Sequence, residues 1–122
     1  MLIAAEPQVF VRDLELSLEH YAEALGFEVA FRYGEPVFYA QIVRDGARLN
    51  LRRTDQAAWS AALQDGDPDL LSATITTDGI EALFEEYAAT GAVFHRQLHT
   101  EPWGAQTFIV RDPDGNLICF AQ

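Results

Sequence analysis

The chain has 122 residues, with 19 acidic against 8 basic side chains and a formal net charge of −11 at pH 7. This charge argues against a nucleic-acid partner, and because all eight basic residues are arginine, lysine-based Schiff-base chemistry is excluded. No apolar run approaches the roughly 20 residues of a membrane span, and no basic leader opens the chain. The single cysteine, Cys119, excludes an internal disulfide framework, so we expect one cytoplasmic domain.

The first predicted elements are a short strand over residues 7–11 and a helix that follows it. The helix begins after Asp13, whose carboxylate can accept from the N–H groups of the first turn. Gly26 provides the C-terminal stop. The predicted buried stripe, which recurs at helical spacing, comprises Leu14, Leu18, Tyr21, Ala22 and Leu25.

Three strands then complete the first unit. Residues 27–33 are β-rich, and residues 37–44 and 47–53 form a hairpin around Asp45-Gly46, a strong short turn signal. Residues 54–69 are interpreted as a linker. It contains an alanine-rich stretch over 56–63, predicted as a short helix that carries Trp59, followed by an acidic turn.

The second unit repeats the order of the first. Asp78 and Gly91 are separated by the same thirteen positions as Asp13 and Gly26, and they bound a second predicted helix. Its predicted stripe is Ile80, Leu83, Phe84, Tyr87 and Ala88, and the expected strands are 70–77, 92–98, 105–111 and 116–121, with a loop at 99–104. The prediction is an α+β fold of two tandem βαβββ units, 6–53 and 70–122, forming a curved mixed β-sheet cup with helices on the outside.

Several spaced motifs carry a family resemblance. The chain has Asp13-Leu14 before the first helix, Leu25-Gly26-Phe27 after it, and Asp112-Pro113-Asp114-Gly115-Asn116 in the last hairpin. In these motifs it resembles the vicinal-oxygen-chelate superfamily of glyoxalases, dioxygenases and bleomycin-resistance proteins. Pro102-Trp103-Gly104, followed by Phe108, is most similar to the bleomycin-resistance branch.

The resemblance also identifies where the enzymes of the superfamily bind a divalent ion: Glu6, Asn50, Ser72 and Cys119. Glu6 is a weak candidate ligand, Asn50 and Ser72 are poor donors for a transition metal, and Cys119 is a soft ligand among oxygens. We therefore expect no metal, no cofactor and no catalytic residue. Cys119 is interpreted as a small buried hydrophobe rather than a nucleophile.

The three histidines do not complete a metal site. His20 lies beside the buried stripe of the first helix, where a satisfied structural role is expected. His95 and His99 are four residues apart, roughly 13 Å along a strand, which is too far to share one ion. A surface position is expected for both.

Without a metal, the sheet cavity is expected to bind a ligand. The resemblance implies that a ligand's flat rings stack between Trp103 and Tyr39 at a dimer interface, whereas simple packing would have Trp103 plug one end of the sheet. Arg52 departs from the small polar residue of that family and would repel a cation. Ser72, Thr74 and Thr76 are expected to line the cavity, and the predicted ligand-binding residues are Tyr39, Gln41, Asn50, Arg52, Trp103 and Cys119.

The resulting hypothesis is a homodimeric, metal-independent protein that sequesters an aromatic antibiotic or similar natural product and so confers drug resistance. The alternative is a metal-dependent glyoxalase- or dioxygenase-type enzyme (a lyase, isomerase or dioxygenase) that uses Glu6 with atypical partners. A third interpretation is an interaction module that has lost its ligand.

Overall fold

The structure, a computed structural model, describes residues 1–56 and 65–122. Apart from Gln56, the short helix predicted over 56–63, with Trp59, lies outside the described residues. Within the described ranges, no helix is both long enough and apolar enough to cross a membrane.

Two mixed four-stranded sheets form the scaffold and confirm the prediction of an α+β fold with tandem βαβββ units. The first unit comprises β1 (Gln8–Val11), α1 (Leu14–Glu23), β2 (Glu28–Gly34), β3 (Val37–Arg44) and β4 (Ala47–Arg53), in the strand order β1-β4-β3-β2. The second comprises β5 (Leu71–Thr76), α2 (Ile80–Thr90), β6 (Val93–Thr100), β7 (Gln106–Arg111) and β8 (Leu117–Ala121), in the order β5-β8-β7-β6. In each unit the first strand runs parallel to the last, its neighbour in the sheet, and the helix links the first strand to the second, which lies at the opposite edge.

Helix α1 begins and ends as the sequence predicts. The Asp13 carboxylate accepts from the Leu16 N–H at 3.1 Å, and Gly26 adopts the left-handed φ of 76°. The predicted stripe is wrong at one position, because Ala22 is exposed and Ser17 is buried. At about 100° per residue the buried side extends from Leu18 through Tyr21 to Ala24, an arc that includes Ser17 and leaves Ala22 outside.

Helix α2 begins differently from the prediction. Its N-cap is Gly79 rather than Asp78. Because glycine has no side chain, the cap residue cannot accept a hydrogen bond from the N–H groups of the first turn. Instead the Ile80 N–H donates to the Gln122 side-chain oxygen at 2.9 Å, so the chain's last residue caps the helix. Ala88 is exposed, contrary to expectation, while Ile80 and Tyr87 are buried.

The apolar faces of both sheets and both helices contribute to one core. Alternate strand residues, such as Leu49 and Leu51 on β4, point into it. Phe108 on β7 is fully buried, and its ring contacts four other aromatic rings at centroid distances of 5.1–5.9 Å: Phe84, Tyr87, Phe94 and Phe120. The side chains that alternate with these core residues project from the opposite face of each strand.

Buried hydrogen bonds join the two units. The Tyr21 hydroxyl donates to Asp112 Oδ2 at 2.9 Å, and the Tyr87 hydroxyl donates to the Leu25 carbonyl at 2.8 Å. Burial raises the pKa of Tyr87 to about 12, so this hydroxyl remains a donor at neutral pH. At the edge of the same contact, Arg44 makes two bonds to the Glu86 carboxylate, at 2.6 and 3.0 Å, and lowers the pKa of Glu86.

His20 Nε2, like Ser17 Oγ, is buried without a hydrogen-bond partner among the described residues, so the expectation of a satisfied His20 side chain is wrong. Burial lowers the pKa of His20, although Asp112 partly opposes the effect. The folded state therefore binds this proton more weakly than the unfolded state. The stability contributed by neutral His20 is present above its unfolded pKa of about 6.5 and is lost as the pH falls through the folded pKa.

We expect the His20→Gln variant to show a smaller loss of stability on acidification than the wild type. The measurement is the urea unfolding midpoint at about pH 7.5 and about pH 5.5. The ion-pair partners of Asp69 and Glu86 lower the pKa values of these two carboxyl groups. The stability that the two groups contribute is therefore lost only at pH values below their ordinary pKa values of 3.8 and 4.5. Identical pH dependence in the two proteins would contradict the assignment to His20.

Candidate ligand-binding site

Four of the six predicted ligand-binding residues form one patch on the first sheet. Tyr39 is paired directly with Arg52, and Gln41 is paired with Asn50, across the β3–β4 hairpin. Directly paired residues project from the same face of a sheet, here the face opposite α1. The strand alternation therefore brings these four side chains together as the sequence predicts.

The polar part of this patch is a small hydrogen-bond network. Gln41, only 8% exposed, donates its side-chain amide to Asn50 Oδ1 at 3.0 Å and also to the Glu6 carboxylate. Glu6 thus lies against the sheet ahead of β1. The network holds the Gln41 amide in one orientation, and it fixes the Asn50 oxygen as an acceptor.

The aromatic part of the patch is larger than the sequence analysis predicted. Phe10 pairs with Arg52, Tyr33 with Tyr39, and Phe31 with Gln41. The Phe31 and Tyr39 rings are stacked, with centroids 6.4 Å apart and an angle of 24°. Phe10, Phe31 and Tyr33 are 39%, 45% and 67% exposed, respectively. The alternation of residues 31 and 33 in a strand antiparallel to β3 could have predicted two of them.

Cys119 lies on the second sheet, away from this patch. Its neighbours across the strands are Thr74 on β5 and Ile109 on β7, and with Ile109 and Leu117 it forms a small apolar cluster separate from the main core. Burial raises the pKa of the Cys119 thiol, which disfavours the thiolate that a nucleophile requires.

Trp103 lies in the connection between β6 and β7. A turn in which the Gly104 N–H donates to the Glu101 carbonyl at 2.9 Å presents the indole, which is 75% exposed. This exposure contradicts the alternative that Trp103 plugs one end of the sheet. The indole is available to a ligand or a second protein surface.

The two histidines of β6 belong to a charged network on the second sheet. His95 Nε2 lies 2.9 Å from the Asp69 carboxylate, and Arg111 donates to His95 Nδ1 at 2.9 Å. Arg96 also binds Asp69, at 2.7 Å, and these partners lower the pKa of Asp69. Asp69 belongs to the predicted linker, so sequence reasoning could not assign it to this face.

The same network continues towards Trp103. His99 lies within β6 rather than in the predicted loop, and its Nε2 is 2.9 Å from Glu101 Oε1. The Thr107 hydroxyl donates to the same oxygen at 2.8 Å. His95 and His99 thus each face a carboxylate, and this network lies on the same sheet as the small apolar cluster of Ile109, Leu117 and Cys119.

The residues at the superfamily's metal positions do not fit a divalent ion. On the first sheet, one carboxylate, Glu6, stands beside the neutral amide of Asn50. On the second, Ser72 donates to Asn116 at 3.2 Å, and Cys119 is a buried thiol with a raised pKa. In the part of the chain that the structure describes, no three His, Cys, Asp or Glu side chains converge as a metal site would require.

A cavity of about 640 Å³ lies between the units, apart from the predicted site. Buried aromatic rings of Phe27, Tyr87 and Phe120 contribute to its wall, and Thr74 and Thr76, which we expected to line a cavity, do line this one. None of the six predicted ligand-binding residues borders it. Its volume is within the range of small-molecule sites.

Fold and site together define a small α+β protein of two βαβββ units with a polar and aromatic sheet face suited to a small molecule. Residues 3–120 match the Glyoxalase/Bleomycin resistance protein/Dioxygenase superfamily, and the chain belongs to that superfamily. The resemblance carried by the sequence motifs is thereby confirmed.

Individual relatives cover almost the entire chain. The bleomycin resistance protein of Geobacillus stearothermophilus is 24% identical over 131 residues, spanning 99% of this chain and 97% of the relative. A bleomycin-binding protein from bleomycin-producing Streptomyces verticillus, solved with copper(II)-bleomycin, has a TM-score of 0.75 at 26% identity, covering 98% of this chain and 95% of that one. A superfamily member from Alicyclobacillus acidocaldarius shares the fold, with a TM-score of 0.79, 21% identity and coverage of 98% and 89%.

Proposed function

We propose that this protein binds and sequesters an aromatic antibiotic or similar natural product, without a metal ion and without changing its ligand chemically. The observation that carries the proposal is the exposed aromatic face of the first sheet. Large aromatic side chains are normally buried, and a contiguous exposed group marks a binding surface. This face comprises the exposed Phe10, Phe31 and Tyr33 together with the half-buried Tyr39.

A groove formed with a second protomer is part of the proposal. Tyr39 lies on the first sheet and Trp103 on a loop of the second, and no hydrogen bond or ion pair between described residues connects the two. A partner's Trp103 opposite Tyr39 would enclose a flat ligand from both sides. Aromatic stacking of this kind contributes about 0.5–1.5 kcal/mol beyond burial.

The chemistry of the polar residues favours binding over catalysis. The Cys119 thiol has a raised pKa, and Glu6 is hydrogen bonded to an amide rather than to a group that it could activate. The related proteins from Geobacillus stearothermophilus and Streptomyces verticillus are a bleomycin resistance protein and a bleomycin-binding protein. Both relatives support sequestration.

Titration with a panel of glycopeptide and polycyclic aromatic antibiotics tests the proposal. We expect at least one compound to change the tryptophan fluorescence saturably, and to be recovered unmodified. Light scattering on the same sample should give a dimer with one or two ligands bound. A flat response across the panel would contradict the proposed ligand binding. A monomer that binds ligand would contradict the proposed groove between two protomers.

A metal-dependent lyase, isomerase or dioxygenase is the second candidate, favoured by the single observation that Glu6 lies against the sheet at a metal position of the superfamily. Metal analysis of protein purified without chelators and incubated with divalent ions separates the two. About one tightly retained ion per chain, lost in the Glu6→Gln variant, would favour the enzyme.

A further inference from the structure

We propose that the ligand of the aromatic face is an acid: a planar aromatic molecule whose carboxylate or similar anionic group binds Arg52. The proposal rests on the proposed function and adds the charge of the ligand to it.

Arg52 stands in a row of aromatic side chains. Across the sheet the paired order is Phe10, Arg52, Tyr39 and Tyr33. Directly paired side chains have Cβ atoms about 4.5–5.5 Å apart, so the Arg52 side chain leaves the sheet between those of Phe10 and Tyr39. A flat ligand that covers these rings necessarily meets this positive charge.

The charge of Arg52 is available. Five other arginines have a partner: Arg32, Arg44, Arg53 and Arg96 bind carboxylates, and Arg111 binds His95. Arg52 has no ion pair or side-chain hydrogen bond with any residue in the described ranges, and it is exposed. In a chain with 19 acidic residues against 8 basic ones, a guanidinium without a carboxylate partner on an aromatic surface is suited to an external anion.

A second donor lies beside Arg52. Asn50 precedes it by two residues on β4 and therefore projects from the same face. Since the Asn50 oxygen accepts from Gln41, its amide N–H₂ group is left to donate. Glu6 precedes Gln8, the residue paired with Asn50, and so lies towards the Arg48 end of β4. The anionic group of the ligand is therefore placed at the opposite, Arg52 end of the patch.

Two fluorescent probes of matched shape test the charge preference: 9-anthracenecarboxylic acid and the neutral 9-anthracenemethanol. Calorimetry on the wild-type dimer is expected to show at least about tenfold tighter binding of the acid. The Arg52→Gln variant should bind both probes equally. Arg52→Lys should retain part of the preference, because lysine keeps the charge but loses the bidentate geometry.

Arg48→Gln is the matched control. Arg48 lies on the same strand and the same face, roughly 13 Å further along, and has no ion pair in the described part of the chain. Arg48→Gln changes the net charge by the same amount as Arg52→Gln. Because Arg48 lies away from the proposed anion site, this variant should leave the preference for the acid unchanged. Equal losses in the Arg48 and Arg52 variants would show a general charge effect and overturn the proposal.

The remaining outcomes separate this inference from the proposed function. Equal wild-type affinity for the acid and the alcohol overturns the acid preference but leaves sequestration intact. Binding of neither probe, together with a flat antibiotic panel, overturns both. If Arg52→Gln converts a dimer to a monomer in light scattering, Arg52 pairs with the partner protomer and the ligand assignment is wrong.

Discussion

Replacing Asp112 with alanine is expected to lower the free energy of unfolding by about 3 kcal/mol or more. Asp112 is 4% exposed and accepts four hydrogen bonds: from the Tyr21 hydroxyl, from the Asn116 side chain, and from the backbone N–H groups of Asp114 and Asn116. Alanine would leave buried donors of both units without a partner. The free energy of unfolding of such domains is about 5–15 kcal/mol, so the loss would be a large share of it.

Urea denaturation followed by circular dichroism measures this effect, and Asp55→Ala is its control. The Asp55 side chain is 81% exposed and pairs with Arg53 at 2.8 Å. An exposed pair of this kind contributes about 0–1 kcal/mol, so the control should differ little from the wild type. A similar small change in both variants would mean that the Asp112 network does not hold the units together.

Truncation of Trp103 to alanine is expected to weaken the binding of an aromatic ligand by about 30-fold or more, with little change in protein stability. An aromatic anchor at the centre of an interface typically contributes 2 kcal/mol or more to binding, whereas the 75% exposed indole buries little area in the free protein. Tyr39→Ala should weaken binding comparably. Trp103→Phe should retain much of the affinity because it keeps an aromatic face.

Calorimetry is the appropriate measurement, because Trp103→Ala removes one of the two tryptophan reporters and leaves Trp59. Leu16→Ala is the matched control: Leu16 is an exposed apolar residue at 51%, on α1 and away from the aromatic face. The Leu16→Ala variant should bind the aromatic ligand with the same affinity as the wild type. If Trp103→Ala retains full affinity while Tyr39→Ala does not, the ligand binds to the first sheet without the opposing indole.

Local signals account for the correctly predicted elements. Asp13 and Gly26 bound α1 through their own cap geometry, and Asp45-Gly46 turns the β3–β4 hairpin through its own backbone preference. The hairpin in turn determines the faces of its strands, because side chains alternate with a period of two. Hence Tyr39, Gln41, Asn50 and Arg52 could be grouped before the structure was known.

Two of the incorrect predictions arise from pairings that the local pattern of residues did not indicate. Asp78 occupies the position in the second unit that Asp13 occupies in the first. The first turn of α2 is nevertheless capped by Gln122, which is 42 positions from Ile80, the residue whose N–H it accepts. The expected loop position of His99 is wrong because β6 pairs with β7 as far as Thr100. Gln122 lies outside any window of neighbouring residues, so periodicity could not detect that cap, whereas the β6–β7 pairing is local and extends the strand beyond the β-rich run.

Residue types and their order are enough to predict the duplicated βαβββ arrangement, the polar and aromatic character of the β3–β4 face, and a poor donor set at the metal positions. These properties depend on residue types and short spacings. The packed fold was needed to find the hydrogen bond between Tyr21 and Asp112 that joins the units, the acid that pairs with His95, and the exposed Arg52 without an ion pair among the described residues. Such contacts depend on how separately folded surfaces pack, and packing couples residues up to 106 positions apart.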